Sequence, residues 1–113
     1  MSASGAHTGT GSWLLQRATA GVLALVLPGL LVYFLIALPV DFSGWQALFA
    51  PLWLRVSMLL AGLALALHAW IGMRDIFMDY VRPVGLRLAL YLAVIGTLAA
   101  TLVWLAAVLW GVA

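Results

Sequence analysis

Charge is what this sequence has least of, and cysteine is missing altogether. Of 113 residues only 7% are charged, as five arginines and three aspartates, without a single lysine or glutamate. A soluble domain carries roughly 25% charged residues, and so few charges cannot clothe a surface in water. The absence of cysteine excludes a disulfide and any iron–sulfur cluster of the chain's own. The formal charge of +2 comes from scattered arginines. Nucleic-acid binding needs clustered cations over an extended face, and there is none.

What is there instead is apolar. Hydrophobic residues make up 67% of the chain and the mean hydropathy is +1.22. These values imply an all-α integral membrane protein. A chain this small cannot bury a catalytic core alone, which points toward partner subunits and membrane lipid as its surroundings.

Residues 1–12 begin MSASGAHTGTG and read as a polar, flexible or partner-bound tail. Residues 13–113 form the membrane domain. Its first span is expected over about 18–39, opened by Trp13 and Arg17 and free of charge for 22 residues. About 20 residues suffice to cross the hydrocarbon core. Pro28-Gly29 lies mid-span and is expected to kink the helix, because proline removes a backbone hydrogen bond. The run is longer than the roughly 7–15 residues of a signal-peptide core, and no clean A-x-A site precedes Pro39.

The connection from Pro39 to Pro51 carries Asp41 and the aromatics Phe42, Trp45 and Phe49, which with Trp53 suit the headgroup level. The second span is expected over about 52–77, with Arg55 placed to snorkel outward near its start. Met78 to Arg87 reads as a loop around Pro83 and Gly85. The third span is expected over about 88–112, without one charged residue. Three spans put Arg17, Arg74, Arg82 and Arg87 on one side and only Arg55 on the other. The positive-inside rule then predicts a cytoplasmic N-terminus and a periplasmic C-terminus in a bacterial inner membrane. In the third span Ala89, Ala93, Thr97 and Thr101 recur every four residues beside Gly96-x-x-x-Ala100, a pattern that permits close helix approach and is assigned here to intrachain packing.

The stretch His68 to Arg82, HAWIGMRDIFMDYVR, holds the chain's chemistry and half of its charges. His68 lies about 9 Å of helix rise inside the boundary marked by Arg74, and an ionisable group at such depth is a functional candidate. It either hydrogen-bonds a neighbouring helix or ligates an iron. Ala61, Ala64 and Gly72 share its face and would leave a shallow groove for a flat macrocycle, although small faces also serve plain packing. His7 lies in the tail, so a bis-histidine iron would need its second ligand from another chain. Asp75 and Asp79 fall on nearly the same face as His68, with Tyr80 about a third of a turn away. A tyrosine hydroxyl with a carboxylate–arginine pair beside it offers a quinone carbonyl a donor and a proton source. The alternative is an ordinary helix end, with Asp79 pairing Arg82. Arg17 could neutralise an anionic group such as a haem propionate, or simply anchor the topology.

Arg17-Ala-Thr-Ala, His68-Ala-Trp-Ile-Gly-Met, Asp79-Tyr80-Val-Arg-Pro and Leu86-Arg-Leu together resemble the hydrophobic membrane anchor of bacterial succinate dehydrogenase (complex II). The resemblance covers nearly the whole chain. It implies a subunit of a succinate:quinone oxidoreductase outside the catalytic core. Its partners would be a cytochrome b subunit, an iron–sulfur subunit and a flavoprotein. His68 matches the family's axial ligand to haem b, shared with the cytochrome b subunit. Tyr80 matches the tyrosine that hydrogen-bonds ubiquinone, Asp79 its neighbour, and Arg17 the arginine near the haem propionates. The resemblance gives no role to Arg74 or Asp75. Competing readings are the anchor of a fumarate reductase, a small membrane interaction protein without a redox cofactor, and a proton-conducting segment built on His68, Asp75 and Asp79.

Overall fold

A backbone in lipid must satisfy its own N–H and C=O groups, and a helix does this within one segment. The computed structural model describes residues 5–112, and among them every regular element is helical: α1 (Gly5–Ala37), α2 (Phe42–Leu48), α3 (Leu52–Tyr80) and α4 (Val84–Val112). Three are long and apolar enough to cross a membrane, over Gly11–Ala37, Leu52–Tyr80 and Val84–Gly111. A helix of 29 residues rises about 43 Å, so each extends well beyond the hydrocarbon core.

Helix α3 lies between the other two long helices, which scarcely touch one another. It runs antiparallel to α1, as the pairs Ser12–Arg74 and Thr19–His68 show. It runs antiparallel to α4 as well: Trp70 meets Tyr91 edge-on at 5.5 Å, and Arg55 stacks over Trp110 at 5.4 Å. Gly62 faces the leucine side chains of α4. A Cβ on Gly62 would sit 2.5 Å from Leu105 Cδ2.

At the far end Leu54 and Leu109 are fully buried, joined by Phe49. Tyr33, Phe34, Trp45, Phe49 and Trp53 form a chain of aromatic contacts there, with ring centroids 5.1 to 5.6 Å apart. Of the aromatic band expected from the sequence, Trp45, Phe49 and Trp53 join this cluster, while Phe42 stays exposed. Tyr33 also donates its hydroxyl to the Leu48 carbonyl at 2.9 Å, tying α1 to α2.

Several boundaries differ from the sequence expectation. Helix α1 begins at Gly5, inside the stretch read as a tail. A helix already nucleated propagates cheaply, and Arg74 holds this end through Ser12 at 2.6 Å. Met1–Ser4 and the side chain of His7 lie outside the described residues. Pro28 sits within α1, which continues as helix on both sides. The short helix α2 was not anticipated. Asp41 is its N-cap, accepting from Gly44 N at 2.8 Å and from Ser43 Oγ at 3.2 Å. The Gly44 amide, then the Ser43 hydroxyl, hold the Asp41 carboxyl below its ordinary pKa.

The expected loop from Met78 to Arg87 shrinks to residues 81–83, because α3 runs to Tyr80 and α4 starts at Val84. The small-residue stripe of α4 does not serve intrachain packing. Ala89, Ala93, Gly96, Thr97, Ala100 and Thr101 are all exposed, and Leu102, Leu105 and Leu109 turn toward α3 instead. The bulky leucines find the Gly62 notch, while Thr97 and Thr101 satisfy their hydroxyls on the carbonyls of Ala93 and Thr97.

Candidate functional site

Helix α3 turns one stripe toward α1: Ala61, Ala64, His68, Ile71 and Asp75, spaced by three and four residues. Ala61, Ala64 and Ile71 are buried at 5%, 6% and 3% exposure. Gly72 faces Gln16, whose Nε2 would stand 3.7 Å from an added Cβ. The small residues beside His68 thus lie largely against α1, and of the three only Ala64 borders an open space.

His68 is half-buried in this contact. Its Nδ1 lies 3.1 Å from Thr19 Oγ1 on α1. Thr19 is the buried polar residue of the helix pair, at 5% exposure. Its hydroxyl also lies 2.9 Å from the Leu15 carbonyl and 3.0 Å from the Gln16 carbonyl. Beside it, Ala18, Thr19 and Val22 face Leu60, Leu63, Ala64 and Leu67 across an apolar cavity of about 160 Å³. Among the described residues no three His, Cys, Asp or Glu side chains converge on a metal position. Among the described side chains His68 is the one imidazole.

About two turns further toward the α3 C-terminus the contact becomes polar. Arg74 donates to Ser12 Oγ and lies 3.5 Å from Asp75 Oδ1. Its Nε and the Gln16 Oε1 are buried without a partner among the described residues. A cleft of about 460 Å³ opens here, lined by Ser12, Trp13, Gln16, Ile71, Arg74 and Asp75. The arginine that Asp75 leans on is thus its sequence neighbour, Arg74.

Tyr80 and Asp79 stand on the last turn of α3, outside this cleft, and both are exposed, Tyr80 at 80%. Asp79 forms no ion pair with Arg82 among the described residues. The backbone explains their prominence. Val81 is extended, Pro83 follows, and the helix cannot continue past Tyr80. Arg17 is exposed at the same end of the bundle, its guanidinium 5.1 Å over the Trp13 ring. The structure brings Thr19 to His68 and Ser12 to Arg74, but joins neither Arg17 nor Tyr80 to these pairs.

Residues 1–109 match the family described as succinate dehydrogenase/fumarate reductase transmembrane subunit. The chain is 36% identical over 98 residues to the succinate dehydrogenase hydrophobic membrane anchor subunit of Coxiella burnetii, covering 87% of this chain and 85% of that one. The chain belongs to the succinate dehydrogenase/fumarate reductase transmembrane subunit family. It is a membrane anchor subunit, a multi-pass protein of the bacterial inner membrane. A transmembrane subunit's exposed apolar faces are in keeping with lipid and with partner helices.

Reading the sequence alone missed Thr19, Ser12 and Gln16 as members of the anchor's helix contact. Polar residues inside or beside an apolar span were the available signal. Only the antiparallel register tells which residue of α3 each one meets.

Proposed function

We propose that this anchor builds part of the quinone-reducing end of a succinate:quinone oxidoreductase. His68 supplies one axial ligand to haem b and the cytochrome b subunit supplies the other. Tyr80 and Asp79 form part of the ubiquinone-reduction site. Iron–sulfur and flavoprotein subunits dock at the same end, which carries Arg17, Arg74, Arg82 and Arg87 and faces the cytoplasm, leaving the C-terminus periplasmic. The observation that supports this reading best is the layout of α3. It holds a half-buried histidine within the span and an exposed tyrosine at its end, about 18 Å of helix rise apart.

The donor set fits a shared haem. His68 has one ring nitrogen engaged by Thr19 and the other left for a ligand. Haem b, when bound, would supply a one-electron redox centre. Arg17, free of ion pairs among the described residues, would meet a propionate. Tyr80 donates its hydroxyl to a quinone carbonyl, and the Asp79 carboxylate beside it can relay protons from the aqueous surface. Electrons arrive from succinate through the partner subunits, so the chain itself performs no flavin chemistry.

Tyr80→Phe in the assembled complex tests the quinone assignment. One neutral hydrogen bond is worth about 0.5–1.5 kcal/mol, so kcat/KM for quinone should fall roughly 2- to 10-fold. Succinate oxidation with an artificial acceptor that takes electrons upstream should be unchanged. Wild-type quinone reduction in the variant would remove Tyr80 from the site.

A further inference from the structure

The Thr19 hydroxyl faces three acceptor-capable atoms and has one hydrogen. The carbonyls of Leu15 and Gln16, at 2.9 and 3.0 Å, can only accept. If the hydrogen went to His68 Nδ1, Oγ1 would meet two carbonyl oxygens at these distances with no proton between. With the hydrogen on the carbonyls, Oγ1 has only lone pairs left for His68. The 3.1 Å contact is then closed by a proton on Nδ1. Neutral imidazole carries one ring proton, so the free lone pair is on Nε2.

We infer that Thr19 is a positioning residue that holds His68 in the Nδ1–H tautomer and presents Nε2 as the ligating nitrogen. The inference rests on His68 being a haem ligand. It adds which nitrogen binds, what orients it, and how the ligand is tuned. A partner that accepts from the distal ring N–H makes the imidazole a stronger donor and favours the oxidised metal. The burial of Thr19 matters to this role. At 5% exposure water is poorly placed to replace the hydroxyl, so removing it leaves Nδ1–H without an acceptor.

The test uses the purified, haem-loaded complex and measures the haem midpoint potential and the rate of haem transfer to apomyoglobin. Thr19→Val keeps the branched shape and removes the acceptor. It should raise the midpoint potential and speed haem loss roughly 10- to 100-fold. Thr19→Ser should restore both toward wild type. If Thr19→Val does not assemble, Thr19→Cys, a weaker acceptor, should shift the potential in the same direction by less. Wild-type potential and haem retention in Thr19→Val or Thr19→Cys would overturn the inference. So would Thr19→Ser behaving like Thr19→Val, which would assign Thr19 to packing. His68→Ala separates this failure from that of the ligand assignment. Loss of the low-spin haem spectrum keeps His68 as ligand, whereas an unchanged spectrum removes His68 and the role of Thr19 with it.

Discussion

Arg74 reaches from α3 to α1 and donates to Ser12 Oγ at 2.6 Å, which ties the helix pair where it becomes polar. The same guanidinium leans on Asp75 at 3.5 Å, a pair with 30% and 56% of its side-chain surfaces exposed. The two contacts differ in weight. A charged-group hydrogen bond is worth about 1.5–3 kcal/mol, whereas a solvent-accessible ion pair contributes roughly 0–1 kcal/mol.

Arg74→Ala should therefore loosen the first turns of α1, at a cost of about 1–2 kcal/mol once partial exposure is allowed for. Asp75→Asn should cost less than about 1 kcal/mol. Amide hydrogen exchange over residues 11–16 distinguishes them, with faster exchange expected only in Arg74→Ala.

At the other end, the Tyr33 hydroxyl serves the Leu48 carbonyl. Tyr33→Phe keeps the aromatic contacts and removes this bond, for about 1 kcal/mol. The expected outcome is faster exchange in α2, with α3 and α4 unchanged.

Gly62 lies against Leu105 and Leu102 of α4. Gly62→Leu should overpack this contact by about 1–3 kcal/mol. Because the obstructing atom is the tip of Leu105, Leu105→Ala should recover part of the loss. A double-mutant cycle on thermal stability of the complex should give a clear coupling term. Simple additivity would mean that the two residues do not meet.

Asp41 makes the cap of α2 pH-dependent. Its folded pKa lies below the ordinary value of 3.8, because the Gly44 amide and then the Ser43 hydroxyl favour the carboxylate. The cap's contribution is complete above the unfolded pKa and is lost as pH falls through the lower folded one. Exchange at the Gly44 amide should rise over that acid interval, after correction for intrinsic rates. Asp41→Ala should show fast exchange at every pH.

The parts of this fold that could be read in advance are those that composition decides. Three apolar runs between Pro39, Pro51 and Pro83 are long enough to span, and the depth of His68 follows from helix rise. Rotation about each helix axis was harder. Ala61, Ala64 and Gly72 share a face with His68, and periodicity found that face, but only the presence of α1 determines that it is filled. The α4 stripe of Ala89, Ala93, Thr97 and Thr101 has the spacing of a contact, yet Leu102, Leu105 and Leu109 make it. Nearly every position in a span is apolar, so no polar face marks the outside. Thr19 carries no charge and lies in an ordinary apolar run. Its importance comes from being opposite His68, a relation between segments that a pattern along the chain does not contain. Helix α2 was within reach, since aspartate is a favoured N-cap residue and Asp41 opens the segment that becomes α2.

The central position of α3 also bears on how the protein is made. Translation delivers α1 to the membrane first, and among the described elements its principal partner is α3. Until Tyr80 has left the ribosome, α1 is an unpaired helix with Thr19 and Gln16 facing lipid. A nascent chain stopped within the α1–α3 connection should be held by insertion factors or degraded. One stopped after Pro83 already contains both the Ser12–Arg74 and the Thr19–His68 contacts. The histidine can thus be oriented before the last helix is synthesised.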